Sequence, residues 1–182
     1  IAQVVAQNGF AVVLFDVNEE MLTKSKLSIK DSLEKLAGKE KITELQKEET
    51  IERLIFTSNI NNCVADLIIE AVVEKKQIKQ QLFEALSLIN NDETIFATNT
   101  SSLSVSELSG GKKYADRFAG MHFFNPAQLM KLVEIIRTEK TSDEVIETLI
   151  MLAKQCGKTP VVCNDSPGFI VNRVARPYYL EA

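Results

Sequence analysis

Asp66-Leu67-Ile68-Ile69-Glu70-Ala71-Val72 is followed by Lys75-Lys76-Gln77-Ile78-Lys79-Gln80-Gln81-Leu82-Phe83-Glu84-Ala85-Leu86-Ser87-Leu88-Ile89 and then by Thr94-Ile95-Phe96-Ala97-Thr98. The first and last of these are short apolar runs of the kind that form buried strands. The middle stretch carries Ile78, Leu82, Phe83, Leu86 and Ile89 at helical spacing. Strand, helix and strand at this length are the repeating unit of a doubly wound α/β domain.

The same alternation extends in both directions. At the start, Ile1, Val4 and Val5 with the small Ala2 and Ala6 predict the last turns of a helix stopped by Gly9. Residues 10–17 form an almost unbroken apolar run with Asp16 near its end, the pattern of a buried parallel strand. Residues 18–54 turn helical and highly charged, with a break at Gly38, and predict a helical hairpin. Residues 54–59 read as a short strand. Towards the C-terminus, Ser104-Val105-Ser106-Glu107 has capping-box spacing for a short helix. Strands are expected at 117–124 and 132–137, a helix opens at Thr141-Ser142-Asp143-Glu144 and runs to Gln155, and a strand follows at 159–163. After Ser166-Pro167-Gly168 the apolar spacing of Phe169, Ile170, Val174 and Tyr178 is helical again.

Composition narrows the class. Of 182 residues, 45% are hydrophobic and 25% charged, an ordinary globular balance. The net charge of −4 lacks the basic excess of a nucleic-acid footprint, so no nucleic-acid partner is expected. No apolar stretch approaches the roughly 18 to 20 residues of a membrane span, and no membrane association is expected. Cys63, Cys156 and Cys163 are odd in number, have no C-x-x-C spacing, and with one histidine make neither a zinc site nor a disulfide framework. They read as reduced thiols in a cytoplasmic protein.

That one histidine, His122, lies in Phe118-Ala119-Gly120-Met121-His122-Phe123-Phe124-Asn125-Pro126, a strand running into a turn. Glu134 follows in Lys131-Leu132-Val133-Glu134-Ile135-Ile136, sharing a strand face with Leu132 and Ile136. An acid on a largely apolar face needs a partner, and His122 is the natural one. Imidazole and carboxylate together suit a general base with its orienting group. The competing readings are a buried structural histidine and a surface acid.

Asp16 stands where an open α/β sheet binds ligands, and an acid there can accept from an adenosine ribose, favouring NAD over NADP. Aspartates also end strands simply by capping the next turn. The expected companion is G-x-G-x-x-G about twenty residues earlier. The glycines, at 9, 38, 110, 111, 120, 157 and 168, do not supply it. The chain is therefore expected to begin inside the helix that follows such a loop, with the first strand and glycine-rich loop preceding Ile1.

Four motifs then carry a specific resemblance. Asn99-Thr100-Ser101-Ser102, the His122 run from Gly120 to Pro126, the Glu134 run, and Asp165-Ser166-Pro167-Gly168-Phe169-Ile170-Val171-Asn172-Arg173 occur in the order and spacing of the L-3-hydroxyacyl-CoA dehydrogenases. Glu70-Ala71-Val72-Val73-Glu74 also resembles that family's stretch beside the nicotinamide. Within the family, the single-function 3-hydroxybutyryl-CoA dehydrogenases are the nearest group.

The resemblance implies NAD-dependent oxidation of an L-3-hydroxyacyl-CoA, or the reverse reduction, with a short chain such as 3-hydroxybutyryl. It implies His122 as base and Glu134 as its partner, with Ser101 and Asn172 at the substrate. It further implies cofactor contacts from Asp16, Glu74, Lys79, Asn99, Ser101 and Asn125, and no metal. In the family the hairpin touches coenzyme A, so Lys39 and Lys41 can meet phosphates.

Plainer roles exist for several of these residues. Ser101 can satisfy a turn, Asn172 can cap a helix, Asn99 can form a turn, Glu74 can be a first-turn acid, and Lys79, Lys39 and Lys41 can be solvated. The implied organisation is a Rossmann-like domain over residues 1–165 with the hairpin at 18–54. Residues 166–182 would be a linker and the first helix of a helical domain that makes a homodimer. Activity is expected of the complete polypeptide. The alternatives are a dehydrogenase of a non-CoA hydroxy acid on the same fold, or an inactive NAD-binding relative.

Overall fold

The computed structural model describes residues 1–180. They form two compact units, Ile1–Val64 and one beginning at Ala65.

The first unit holds α1 (Ala2–Gln7), β1 (Val12–Phe15), α2 (Glu19–Gly38), α3 (Glu44–Glu52) and β2 (Leu54–Thr57). β1 and β2 pair in parallel, Val12 opposite Leu54 and Phe15 opposite Thr57. Helix α1 ends as expected, with Gly9 at φ +93° and its N–H donating to the Ala6 carbonyl. The helical hairpin is present. Asn18 opens α2 by accepting from the N–H groups of Glu20 and Met21, and a complete capping box of Thr43 and Gln46 opens α3. Gly38 remains inside α2; the left-handed residue of the turn is Glu40, at φ +56°. Only Leu22 and Leu33 of α2 are buried, so this long helix is mostly solvated surface.

The second unit is a five-stranded sheet in the order β3 (Leu67–Glu70), β4 (Ile95–Thr98), β5 (Phe118–Phe123), β6 (Leu132–Arg137), β7 (Thr159–Asn164). Helix α4 (Lys76–Ile89) connects β3 to β4, and α5 (Val105–Ser109), α6 (Asp143–Gln155) and α7 (Val171–Leu180) complete the unit. β3, β4 and β5 are parallel, as are β6 and β7, but β5 and β6 are antiparallel. The connection from Phe123 to Leu132 is too short for a crossover helix, so the chain must return in the opposite direction. Phe83 from α4 packs edge-on against Phe118 at 4.7 Å and Phe96 at 6.1 Å between ring centroids, and Tyr114 closes over Phe96 at 5.0 Å. Each such buried ring contributes about 1.5–3 kcal/mol over an exposed one.

Three local differences from the sequence reading have identifiable causes. The capping box at α5 is half made: Ser104 accepts from Glu107 N–H, while the Glu107 carboxylate pairs with Lys76 at 2.8 Å. Thr141 does not open α6; it is buried, donating to the Phe118 carbonyl at 2.7 Å, and Ser142 is the cap. Phe169 sits at φ +49°, which keeps it out of α7. Tyr178, expected on the apolar face of that helix, lies outside the residues whose side chains are described.

Gly120 is required by close approach. It lies opposite Ile136 across the β5–β6 pair, and a Cβ there would come within 2.7 Å of the Ile136 Cδ1 and 2.8 Å of its Cβ. The absent side chain lets the two strands that carry His122 and Glu134 pair without a bulge.

Candidate active site

His122 and Glu134 are directly opposite in the antiparallel β5–β6 register. Both are buried, at 4% and 1% exposure, which removes the surface-acid reading of Glu134. His122 Nδ1 lies 2.7 Å from Glu134 Oε2. The other oxygen, Oε1, accepts from the backbone N–H groups of Ile170 (2.9 Å) and Val171 (2.8 Å), where the chain enters α7. With both oxygens acting as acceptors, the shared hydrogen sits on Nδ1 and the lone pair is left on Nε2. That lone pair faces the Ser101 hydroxyl at 3.1 Å. Phe124 and Phe169 flank the imidazole at 4.6 and 5.9 Å between centroids. A base that is held on one side, walled by rings, and touched on the other only by a small hydroxyl can accept a proton from a ligand hydroxyl.

Ser101 follows the end of β4, and its own hydroxyl does not serve the turn. The turn is made by Thr100, whose Oγ1 accepts from the N–H groups of Ser102 and Leu103. Asn172, the second residue of α7, does not cap its helix; its Nδ2 donates to the Ser101 carbonyl at 3.1 Å and ties the loop to α7. Asn99 Oδ1 accepts from Phe123 N–H at 2.8 Å, holding the end of β4 against the end of β5. Asn125 is exposed on the turn after β5.

Glu74 precedes α4 and is not a first-turn acid of that helix. Its Oε1 accepts from the Thr100 hydroxyl, from Ser101 N–H (3.0 Å), and from Ser102 N–H and Oγ (3.2 Å each). Burial would raise this carboxyl, but the Thr100, Ser101 and Lys79 hydrogen bonds and the Lys79 charge outweigh it and hold it down to about 2. Lys79 is wholly buried, so the solvated-lysine reading is wrong. Its ammonium bridges Glu70 Oε1 (2.6 Å) and Glu74 Oε2 (3.2 Å). It lies on the stripe Lys79, Phe83, Leu86, the buried face of α4, whereas Ile78 is 40% exposed.

In the first unit, Asp16 Oδ1 accepts from Asn18 N–H at 2.8 Å, so it does serve the turn, at the carboxyl end of β1. Lys39 is the C-cap of α2 and Lys41 follows in the same turn; both are exposed. The second unit alone brings together Ser101, His122, Glu134, Asn172, Glu74, Lys79 and Asn99.

Sequence reasoning missed several groups. Glu70 and Thr98 share a buried bond of 2.7 Å, and the positions of Lys79, Phe83 and Leu86 on one helical face were the available signal for a buried partner of Glu70. Asp165 accepts from Ser104 Oγ, Val105 N–H and Ser106 N–H, tying the end of β7 to the start of α5. Burial opposes its ionisation, but the Ser106, Ser104 and Val105 bonds prevail and lower its pKa. Nothing local in the sequence marks that long-range contact.

Residues at the carboxyl ends of parallel strands, with a histidine on a neighbouring strand and an acid behind it, stand where a Rossmann-type α/β sheet places its ligand site. The chain belongs to the family described as 3-hydroxyacyl-CoA dehydrogenase, NAD binding domain, which matches residues 1–166. The mitochondrial hydroxyacyl-coenzyme A dehydrogenase of Sus scrofa is 45% identical over 190 aligned residues, covering 100% of this chain and 60% of that protein. A probable 3-hydroxybutyryl-CoA dehydrogenase of Deinococcus radiodurans is 44% identical, over 100% of this chain and 66% of its own length. The crystal structure of an Escherichia coli K12 3-hydroxybutyryl-CoA dehydrogenase superposes with a TM-score of 0.96 at 43% identity, covering 99% of this chain and 38% of that one. The chain thus spans about 60% of the length of its mammalian relatives. Among the described residues no helix is long and apolar enough to cross a membrane.

Proposed function

We propose that the complete protein oxidises L-3-hydroxyacyl-CoA to 3-oxoacyl-CoA with NAD, or catalyses the reverse reduction, with short-chain substrates such as 3-hydroxybutyryl-CoA. The observation that carries this reading is the placement of His122, with Nε2 3.1 Å from Ser101 Oγ and Nδ1 2.7 Å from Glu134 Oε2.

Within the second unit Glu74, Asn99 and Ser101 follow the carboxyl ends of β3 and β4, and within the first unit Asp16 follows that of β1, positions that suit dinucleotide contacts in each unit taken by itself. In this reading Asp16, Glu74, Asn99, Ser101 and Asn125 are the NAD contacts and Lys39 and Lys41 meet coenzyme A phosphates, whereas Lys79, expected from the sequence as a further NAD contact, is wholly buried and supports Glu74 from behind. NAD supplies the acceptor for the hydride that leaves C3. His122 Nε2 takes the hydroxyl proton as the carbonyl forms. Glu134 stabilises the imidazolium and keeps the ring from turning. Ser101, released from Nε2 by the substrate, donates to the same substrate oxygen, and Asn172 orients the acyl chain by fixing the Ser101 loop. In reduction His122 returns its proton to the forming alkoxide.

The same proposal assigns residues 1–165 to the NAD-binding domain and 166–182 to the entry of a helical domain that makes a homodimer. It takes the protein to be cytoplasmic. The test is NADH formation by the full-length protein from L-3-hydroxybutyryl-CoA and from free 3-hydroxybutyrate. Turnover is expected with the CoA ester alone, and equal turnover of the free acid would defeat the acyl-CoA reading.

A further inference from the structure

Buried charges in the second unit extend beyond the His122–Glu134 pair. Glu70 is 3% exposed and Lys79 is fully buried. Glu70 Oε1 accepts from Lys79 Nζ and from Val72 N–H, each at 2.6 Å, and Oε2 accepts from Thr98 Oγ1 at 2.7 Å. Its backbone carbonyl takes Asn99 N–H at 2.7 Å. Lys79 in turn reaches Glu74 Oε2 at 3.2 Å and the Val72 carbonyl at 3.4 Å. Removing such charges from water is expensive, and an apolar pair of similar volume would commonly serve the core as well or better. Cohesion alone therefore does not account for them.

What they hold is the loop that faces the base. Glu74 is 38% exposed and, without an ammonium behind it, could swing into solvent. Lys79 prevents that by fixing Oε2 while Oε1 collects the donors of Thr100, Ser101 and Ser102. Ser101 then stands 3.1 Å from His122 Nε2. A continuous series runs from Glu70 through Lys79 and Glu74 to Ser101 and the base, entirely within one unit.

We propose that Glu70 is a positioning residue for the reaction: through Lys79 and Glu74 it sets where Ser101, and with it the substrate oxygen, sits relative to His122. This rests on the dehydrogenase reading above. Glu70 is buried behind Lys79 and Glu74, out of reach of a bound ligand, so its effect belongs in kcat and not in the affinity for the acyl-CoA.

The test uses the full-length enzyme and two substitution sets. Glu70→Gln keeps shape but removes the charge that aims Lys79. The double variant Glu70→Leu with Lys79→Met replaces the buried ion pair by apolar side chains of similar size, so the core can keep its stability. For each, thermal stability, kcat, KM for the acyl-CoA, and hydrogen exchange of the peptide spanning residues 99–103 are measured.

We expect kcat to fall about tenfold to a hundredfold, the size of a displacement of about 1 Å at a reacting group. KM for the acyl-CoA should change little, and exchange at Ser101 and Ser102 should quicken. The double variant should remain folded yet stay slow. Glu70→Gln added to Glu74→Gln should cost kcat no more than Glu74→Gln alone, because both break one series. Recovery of wild-type kcat in the double variant, or effects of Glu70→Gln and Glu74→Gln that multiply, would overturn the proposal. Hydrogen exchange reports loop position without turnover, so an inactive wild-type enzyme with quickened exchange in the variants would defeat the dehydrogenase reading, whereas unchanged exchange would defeat the positioning role.

Discussion

The second unit contains two sets of buried charges built in opposite ways. Around His122, the imidazole is paired on one side and left available on the other: Glu134 takes Nδ1 and two backbone amides, and Nε2 meets only a displaceable hydroxyl. Around Lys79, the ammonium is enclosed by Glu70, Glu74 and the Val72 carbonyl. The first arrangement can exchange a proton, because one atom has no permanent charged partner. The second can only hold position, because every partner is internal. Burial alone therefore does not identify a reactive group; the partner left out does.

If that contrast is right, His122→Gln in the full-length enzyme should lose about 10²–10⁴ in kcat with the fold intact, the range for removing a general base. Comparable turnover would make His122 a structural residue like Lys79. Glu134→Gln should cost less, about tenfold to a hundredfold in kcat. An amide can still accept from Ile170 and Val171 through one atom, but offers its NH₂ to Nδ1 and favours the wrong tautomer. A Glu134→Gln enzyme with unaltered kcat would show that the tautomer is set elsewhere.

Gly120→Ala separates the two sets by strand pairing. The added methyl meets Ile136 on β6, so we expect a loss of about 1–3 kcal/mol in denaturant unfolding. Activity should fall through the β5–β6 pair, while exchange at Ser101 and Ser102, governed by Glu74, stays near wild type. The smallest effect expected concerns pH. Because Glu74 is held at about 2, below its ordinary 4.5, its contribution to stability is complete above about pH 4.5 and fades as pH falls towards 2. Acid unfolding of wild type and Glu74→Gln should therefore differ most above pH 4.5 and converge towards pH 2; a constant gap would mean that the Glu74 charge contributes no stability.

Much of the site was legible because its residues lie on regular elements. The alternation around Glu134 marked it as an acid on an apolar face, and His122 was the only imidazole to meet it. The order of strands and helices followed from periodicity, with ends displaced by a residue or two where strands fray. Lys79 was less legible, since a lysine among charged neighbours reads as solvated unless its helical phase with Phe83 and Leu86 is followed. The contacts of Asp165 and of the Ile170 and Val171 amides were not legible, although the motif that contains them was. Their partners lie far along the chain, and backbone donors leave no mark on residue type.

By itself, the sequence determined the α/β class and the helical hairpin through periodicity and the family resemblance through its motifs, and it singled out His122 and Glu134 by their residue chemistry. Only the tertiary structure decided that β5 and β6 are antiparallel with His122 opposite Glu134, that Asn172 serves the Ser101 loop, and that Glu70 and Lys79 stand behind Glu74. Those facts depend on register and on long-range hydrogen bonds, which arise when segments distant in sequence are packed together and local pattern no longer constrains who meets whom.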